Sequence, residues 1–171
     1  MDGAVWVVAG APGSGKTTYA RELVARLEPH PALLDKDTVY GGFVDATLSA
    51  AGRPRGEREG DWYDAHVKAH EYAGLAATAR EIRAGGCPVV LVAPYTTEIH
   101  DADRWRDLVG ALGGEPVHLV WVHCAPETLR ARIAARDSHR DGAKLDDFAA
   151  FLHRIRLTEP PAVAYQDIVT D

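Results

Sequence analysis

The chain contains 171 residues, of which 46% are hydrophobic and 26% are charged, and this balance is typical of a globular protein rather than a disordered or fibrous one. The formal net charge of −6 disfavours a chain whose main partner is nucleic acid, because such domains usually carry an excess of basic residues. Apolar runs such as AVWVVAGA and PVVLVAP are far shorter than the roughly 18 residues that a membrane span needs.

Short apolar runs alternate with longer amphipathic segments along the chain. The apolar runs predict strands at 4–9, 31–35, 88–94, 116–124 and 165–171. The amphipathic segments predict helices at 17–28, 38–50, 61–85, 101–112, 126–137 and 145–157, with Asp61 as the N-cap of the third. The Gly-, Pro- and charge-rich stretch 52–60 predicts a mobile loop. This alternation predicts a parallel sheet with helices on both faces, whose ligands bind at the carboxyl ends of the strands.

Cysteine and histidine residues give no sign of a disulfide framework or a metal centre. The two cysteines, Cys87 and Cys124, lie at the ends of predicted core strands and are interpreted as free buried thiols in a reducing compartment. The eight histidines are scattered without a metal-binding spacing. Because the first residues lead into an apolar run with no basic region, we expect no signal peptide. We expect a cytoplasmic protein with one domain across residues 1–171.

The stretch GAPGSGKT, Gly10 to Thr17, fits the phosphate-binding pattern G-x-x-x-x-G-K-[ST], with a predicted strand before it and a helix after it. Its glycines let the backbone curl so that N–H groups point at phosphate oxygens, and the helix N-terminus adds partial positive charge. We expect Lys16 to reach the β- and γ-phosphates and the Thr17 hydroxyl to bind Mg²⁺. The expected nucleotide-binding residues are Gly10, Ala11, Pro12, Gly13, Ser14, Gly15, Lys16, Thr17 and Thr18.

Two aspartates follow the second predicted strand. Asp35 and Asp37, in LLDKD, lie at the carboxyl end of that strand, beside the phosphate loop in a sheet of this kind. Phosphoryl transfer needs one carboxylate to position Mg²⁺ and another to accept or orient the proton of the attacking hydroxyl. Two aspartates one residue apart are suited to divide these roles. The alternative is that one of them, such as Asp37, only caps the next helix.

These features resemble the small P-loop kinases, a group that includes shikimate kinase, gluconate kinase, chloramphenicol phosphotransferase and the zeta-toxin-like ATP-binding proteins. The order of elements matches over nearly the whole chain, but specific motifs lie only at 10–17, 35–37 and about 130–140. The resemblance implies a P-loop NTPase fold of the nucleoside-kinase type: a three-layer α/β/α sandwich with a five-stranded parallel sheet and a small lid. It implies ATP and Mg²⁺ as ligands, with Asp35 on a Mg²⁺-bound water and Asp37 as the base, although the order of these two roles stays open.

The third core strand differs from the pattern of many P-loop NTPases. Those proteins carry an acidic residue at the end of this strand, whereas the sequence here reads LVAPYTTE and no carboxylate follows Val92 until Glu98. This difference disfavours an ATPase motor that activates water. It suits a kinase that anchors Mg²⁺ from Thr17 and Asp35.

Arginines recur near the end of the predicted helix at 126–137. Arg132, Arg136 and Arg140 are spaced by four, with Arg130 nearby, and residues so spaced share a helix face. By resemblance a lid lies at 130–144, closes over the nucleotide and supplies arginines to the transferring phosphoryl group. Arg132 and Arg136 are the better candidates for nucleotide binding and catalysis. The alternative is a solvated basic face.

The segment 38–85 is where the resemblance implies an acceptor pocket. Trp62, His66 and His70 are spaced by four on one predicted helix face, and Tyr95 follows the third strand. An amphipathic helix that buries Trp62 and leaves the histidines at its edge is an equal alternative. The polar candidates favour a neutral or cationic polyhydroxy or amino acceptor, while arginines in the 52–60 loop leave an anionic one open.

The leading hypothesis is therefore an ATP-dependent kinase that phosphorylates a hydroxyl, or less readily a guanidino or amino group, of a small molecule. A nucleotide or polynucleotide kinase is a second hypothesis, which the net charge of −6 disfavours. A nucleotide-dependent regulatory module with little turnover is a third. The sequence contains no N-K-x-D motif for guanine selection, and it leaves the oligomeric state undetermined.

Overall fold

A parallel five-stranded sheet forms the centre of the molecule, with strand order β2–β3–β1–β4–β5. The computed structural model describes residues 3–54, 56–135 and 145–171. The strands are β1 (Val5–Ala9), β2 (Ala32–Asp35), β3 (Val89–Val92), β4 (Val117–His123) and β5 (Gln166–Val169). Because β1 pairs with both β3 and β4, the phosphate loop that follows it lies at the middle of the sheet's carboxyl edge.

The helices occupy the connections between strands. They are α1 (Lys16–Arg26), α2 (Lys36–Ala50), α4 (Thr96–Ile99), α5 (Ala102–Ala111), α6 (Pro126–Ala135) and α7 (Phe148–Ile155). Asp61–Tyr63, Asp64–Lys68 and Ala69–Ala84 run on as one helix, α3, whose middle part is a π-helical turn. In the described part of the chain, no helix is long and apolar enough to cross a membrane.

Three details differ from the sequence predictions. Helix α2 begins at Lys36 because the side chain of Asp35, rather than that of Asp37, caps it by accepting the N–H of Asp37 at 3.0 Å. Asp61 is the first residue of α3 and not its N-cap, a position that Gly60 occupies with a φ of 97°. The short helix α4 was not predicted, since four residues are too few to show a helical period.

Both faces of the sheet are covered by apolar side chains. On one face Val7 and Leu91 pack with Leu75 of α3, and on the other Val8 and Val90 pack with residues of α1. Alternate strand residues point to opposite faces, so strands buried on both sides have no polar alternation. The predicted fold class, a three-layer arrangement of a parallel sheet between helices, is confirmed.

Arg83 near the end of α3 is almost fully buried and binds the backbone of the turn before β4. Its guanidinium donates to Leu112 O at 3.0 Å, to Gly114 O and to Glu115 O at 3.3 Å. Arg83→Met is expected to lower the free energy of unfolding by about 2–4 kcal/mol, because three carbonyls lose a charged donor. Urea unfolding measures this effect, and the exposed Arg80→Met on the same helix is the control. An equal loss of unfolding free energy in the two variants would contradict the stabilising role assigned to the Arg83 hydrogen bonds.

Candidate active site

The phosphate loop connects β1 to α1 through glycines in conformations that other residues rarely adopt. Gly10 has a φ of 144°, and a Cβ placed there would lie 2.0 Å from Val122 O. Gly15 has a φ of 93° and is the N-cap of α1. The first N–H groups of a helix have no acceptor within that helix, and the helix dipole favours negative charge at this end. The loop therefore presents donors at the carboxyl edge of the sheet.

Two polar side chains of the loop turn inward. Lys16 Nζ donates to Ala11 O at 2.7 Å, which holds the ammonium group over the loop. Ser14 is fully buried, and its Oγ finds no hydrogen-bond partner among the described residues. A buried hydroxyl without a partner is unusual in a native protein. Lys16 lines the cleft, whereas Ser14 does not, so the ammonium group is the side-chain donor of this pair that a ligand in the cleft can reach.

The second strand delivers its carboxylates next to this loop. Thr17 Oγ1 donates to Asp35 Oδ2 at 2.7 Å, so the hydroxyl and the carboxylate expected to hold Mg²⁺ are in direct contact. Asp35 Oδ1 caps α2 at the same time. Asp37 is about half exposed and lines the cleft above the loop, where its Oδ1 lies 3.5 Å from Lys36 Nζ and 3.6 Å from Arg58 Nη1. Both aspartates line the cleft, but Asp35 is bonded to Thr17 of the phosphate loop, whereas Asp37 pairs with Lys36 and Arg58.

A buried polar network lies behind Asp37. Lys36 is 7% exposed and its Nζ donates to Glu71 Oε1 at 3.2 Å, while Tyr63 donates its hydroxyl to Glu71 Oε2. Burial and the hydrogen bond to Glu71 raise the pKa of Tyr63, so the phenol stays protonated as a donor. In a regular α-helix, two side chains that are eight residues apart, as Tyr63 and Glu71 are, would point in directions about 80° apart. The extra residue of the π turn brings Tyr63 and Glu71 onto one face.

Glu71→Gln is expected to lower the free energy of unfolding by about 2 kcal/mol, because the buried ammonium of Lys36 loses the charge opposite it. The midpoint of urea unfolding measures the change, and the exposed Glu81→Gln on the same helix is the control. Lys36→Met combined with Glu71→Gln should lose less than the sum of the single losses, since the pair is removed together. Additive losses would show that the two residues are not coupled.

The loop at 52–60, expected to be mobile, is anchored at two arginines. Arg58 Nη2 donates to Gly41 O at 2.8 Å and to Asp45 Oδ1 at 2.9 Å, which fixes the loop to α2. Arg53 pairs with Glu57, and its guanidinium lies 4.9 Å from the ring centre of Trp62. Arg58 thereby reaches the cleft beside Asp37, where it is paired with carboxylates rather than free to bind an anionic acceptor.

A cleft of about 1180 Å³ joins these parts. On the phosphate side it is lined by the loop, by Arg132 of α6 and by the end of β5. On the other side it is lined by acidic groups (Asp37, Glu59, Asp61, Asp64, Glu98), hydroxyl groups (Tyr63, Tyr72, Thr96, Thr97) and basic groups (Lys36, Arg58, Lys68, Arg154). Each of these four basic residues forms an ion pair with a carboxylate. Glu98 of α4 thus brings to the cleft a carboxylate that the end of β3 lacks.

Four residues expected at the acceptor pocket do not line the cleft. The buried stripe of α3 contains Tyr63, Val67 and Glu71, and on the stripe one residue back Trp62 is partly buried against the cluster that contains Tyr63 and Val67, as the alternative interpretation of this helix expected. On that stripe His66 and His70 are exposed, and Trp62 stacks on His66 with 4.8 Å between ring centres. Tyr95, at a φ of 49°, is fully buried against Tyr72. The residues Trp62, His66, His70 and Tyr95 are absent from the cleft lining.

The predicted lid is described only in part. Leu129 and Ile133 are fully buried and pack α6 against Phe151 and Leu157. Arg132 lies at the phosphate loop, where its Nη1 donates to Thr170 Oγ1 at 2.8 Å. Arg136, Arg140 and residues 136–144 of the lid lie outside the described residues.

The donor set fits a Mg²⁺-bound nucleoside triphosphate. The loop offers backbone N–H groups and the ammonium of Lys16 to phosphate oxygens. Thr17 and Asp35 offer the hard oxygen ligands that Mg²⁺ prefers. Within the residues that the structure describes, no three His, Cys, Asp or Glu side chains form a metal cluster. Few protein ligands are expected, because Mg²⁺ usually keeps several waters and binds substrate phosphates.

Comparison with known proteins agrees with this geometry. The profile of the AAA domain family matches residues 5–160. The chain belongs to the AAA domain family. A phosphate loop in an AAA domain implies nucleotide binding. A search of curated sequences finds no significant match.

Solved structures similar to this AAA domain include several small kinases. A sugar kinase from Janibacter sp. HTCC2649 has a TM-score of 0.61 at 21% identity, over 100% of this chain and 86% of that one. A gluconokinase from Sinorhizobium meliloti 1021 has a TM-score of 0.58 at 18% identity, over 99% of this chain and 82% of that one. A shikimate kinase from Acinetobacter baumannii, in complex with shikimate, has a TM-score of 0.52 at 16% identity, over 100% and 84%. The resemblance to small P-loop kinases is confirmed at the level of the fold.

Proposed function

We propose that this protein is an ATP- and Mg²⁺-dependent kinase that transfers the γ-phosphoryl group of ATP to a hydroxyl group of a small molecule. The observation that carries the proposal is the placement of Asp37. This carboxylate faces the cleft two residues after Asp35, which is bonded to Thr17 of the phosphate loop at 2.7 Å. A donor site and a carboxylate base thus share one cleft.

The residues of the cleft divide the chemistry. Asp37 accepts the proton of the acceptor hydroxyl, whose oxygen forms a bond to the γ-phosphorus while the bond to the β,γ-bridging oxygen breaks and ADP leaves. Lys16 and Arg132 stabilise the negative charge on the phosphoryl oxygens. Thr17 and Asp35 hold Mg²⁺, which supplies further charge neutralisation when bound. Lys36 and Arg58 both lie near Oδ1 of Asp37 and hold its carboxylate in place.

The charges of the cleft favour an uncharged or cationic polyhydroxy acceptor. Asp61 and Glu98 line the acceptor side without an ion-pair partner among the described residues, whereas each basic residue there is already paired. The same carboxylates disfavour a polynucleotide, whose phosphates they would repel. Two of the similar folds are named as a sugar kinase and a gluconokinase, and a polyhydroxy acceptor agrees with both names.

An ADP-formation assay with ATP and Mg²⁺ tests the proposal over a panel of uncharged sugars and polyols, amino sugars, sugar acids and short oligonucleotides. The expected result is a rate well above the acceptor-free rate with at least one sugar, polyol or amino sugar. Stimulation only by oligonucleotides would favour the polynucleotide kinase. A slow rate that no acceptor raises would contradict the proposal and favour a regulatory nucleotide-binding module.

A further inference from the structure

Thr170, directly after β5, connects three separate parts of the site. Its Oγ1 donates to Ser14 O of the phosphate loop at 2.7 Å and accepts from Arg132 Nη1 at 2.8 Å. Its backbone N–H donates to His123 O at 2.8 Å, which fixes it to the end of β4. The hydroxyl group therefore uses its one donor and one of its acceptor sites to link α6 to the phosphate loop.

Thr170 and Arg132 both lie on the turn that begins α1. A Cβ placed on Gly15 would lie 3.4 Å from Thr170 Cγ2 and 3.7 Å from Arg132 Nη1. The guanidinium also donates to Asp171 O. The cationic end of Arg132 is thus held at the N-terminal end of α1, where the loop would hold phosphate.

We propose that Thr170 is a positioning residue for nucleotide binding, whose hydroxyl holds Arg132 against the phosphate loop before the nucleotide arrives. A free arginine side chain loses about 2 kcal/mol of rotamer entropy when a ligand fixes it. Hydrogen bonds that fix it beforehand remove this cost from binding. The inference rests on the proposed function only in requiring that the chain bind a nucleoside triphosphate.

The chemistry of the side chain at 170 defines the test. Serine keeps the hydroxyl that bonds Ser14 and Arg132, whereas valine keeps the shape and removes it. Thr170→Val is expected to weaken the affinity for AMP-PNP with Mg²⁺ by about tenfold, the effect of one hydrogen bond to a charged group. Thr170→Ser should bind as the wild type does. Thr78→Val, which removes an exposed hydroxyl on α3, is the matched control.

Isothermal titration of Thr170→Val, Arg132→Ala and the double variant separates positioning from packing. If Thr170 acts through Arg132, the double variant should bind no more weakly than Arg132→Ala alone. Equal losses in the valine and serine variants, wild-type affinity in the valine variant, or additive losses in the double variant would each overturn the proposal. If the valine variant is unfolded, Thr170→Ala removes the same hydroxyl and is compared with Thr170→Ser in its place.

Cys124 provides a readout that needs no nucleotide. Burial raises the pKa of its thiol, while Arg132, Lys16 and the Thr170 hydroxyl act to lower it. In a Cys87→Ser background, the pH dependence of alkylation reports Cys124 alone. Thr170→Val and Arg132→Ala should both raise this thiol pKa, and an unchanged value in both would overturn the link. A wild type that binds AMP-PNP but transfers no phosphoryl group would contradict the proposed kinase and leave the positioning role of Thr170 intact.

Discussion

Asp37→Asn is expected to lower the rate of phosphoryl transfer by about a thousandfold, within the range that a positioned general base contributes. Asparagine keeps the size of the side chain but cannot accept the proton of the acceptor hydroxyl. Nucleotide affinity should change little, because Asp35 and not Asp37 is bonded to Thr17. Initial rates of ADP formation at saturating acceptor, together with titration of AMP-PNP, measure the two effects.

The control for this variant is Asp103→Asn, which removes an exposed carboxylate on α5 outside the cleft and should leave turnover unchanged. Wild-type turnover in Asp37→Asn would show that Asp37 is not the base. If Asp35→Asn alone abolished transfer with nucleotide affinity intact, the base would be Asp35 instead. That pattern would reverse the proposed division of roles.

Lys16→Ala is expected to lower transfer by about a hundredfold or more, whatever the acceptor is. The ammonium is held over the phosphate loop by its bond to Ala11 O, so its loss removes a preorganised charge from the phosphoryl oxygens. Lys16→Arg should not restore the rate, because the planar guanidinium does not match the compact ammonium in this position. Rates with ATP and the best acceptor of the panel measure the loss.

Arg21→Ala is the control for Lys16, since Arg21 is exposed on the same helix and outside the cleft. It should leave both turnover and nucleotide affinity near the wild-type values. A Lys16→Ala variant with wild-type transfer would contradict the assignment of the donor site. A loss of similar size in Arg21→Ala would indicate a general effect of charge near α1 instead.

The phosphate loop and the aspartate pair could be predicted because their chemistry is local in the sequence. The glycines, Lys16 and Thr17 lie within one strand-to-helix turn, whose conformation brings them together. Asp35 ends β2 and Asp37 lies in the first turn of α2, and parallel strands expose their carboxyl ends at one edge. The resemblance to P-loop kinases rests on the same local motifs, and the fold confirms it.

The acceptor side could not be predicted because it depends on side-chain directions and distant contacts. A shift of one residue on α3 separates the exposed stripe of His66 and His70 from the buried stripe of Glu71. Glu71 carried a usable signal, since it is spaced by four between the buried Val67 and Leu75. No sequence pattern pointed to Thr170, because its place beside Ser14 depends on the strand order of the whole sheet.

Product analysis tests the central claim most directly. The wild-type protein is incubated with ATP, Mg²⁺ and each acceptor, and phosphorus NMR follows the γ-phosphate while ADP is measured in the same sample. We predict a phosphomonoester of one acceptor in amounts equal to the ADP formed, with little inorganic phosphate. Inorganic phosphate equal to ADP in every mixture would contradict the proposal that Asp37 directs the phosphoryl group to an acceptor hydroxyl.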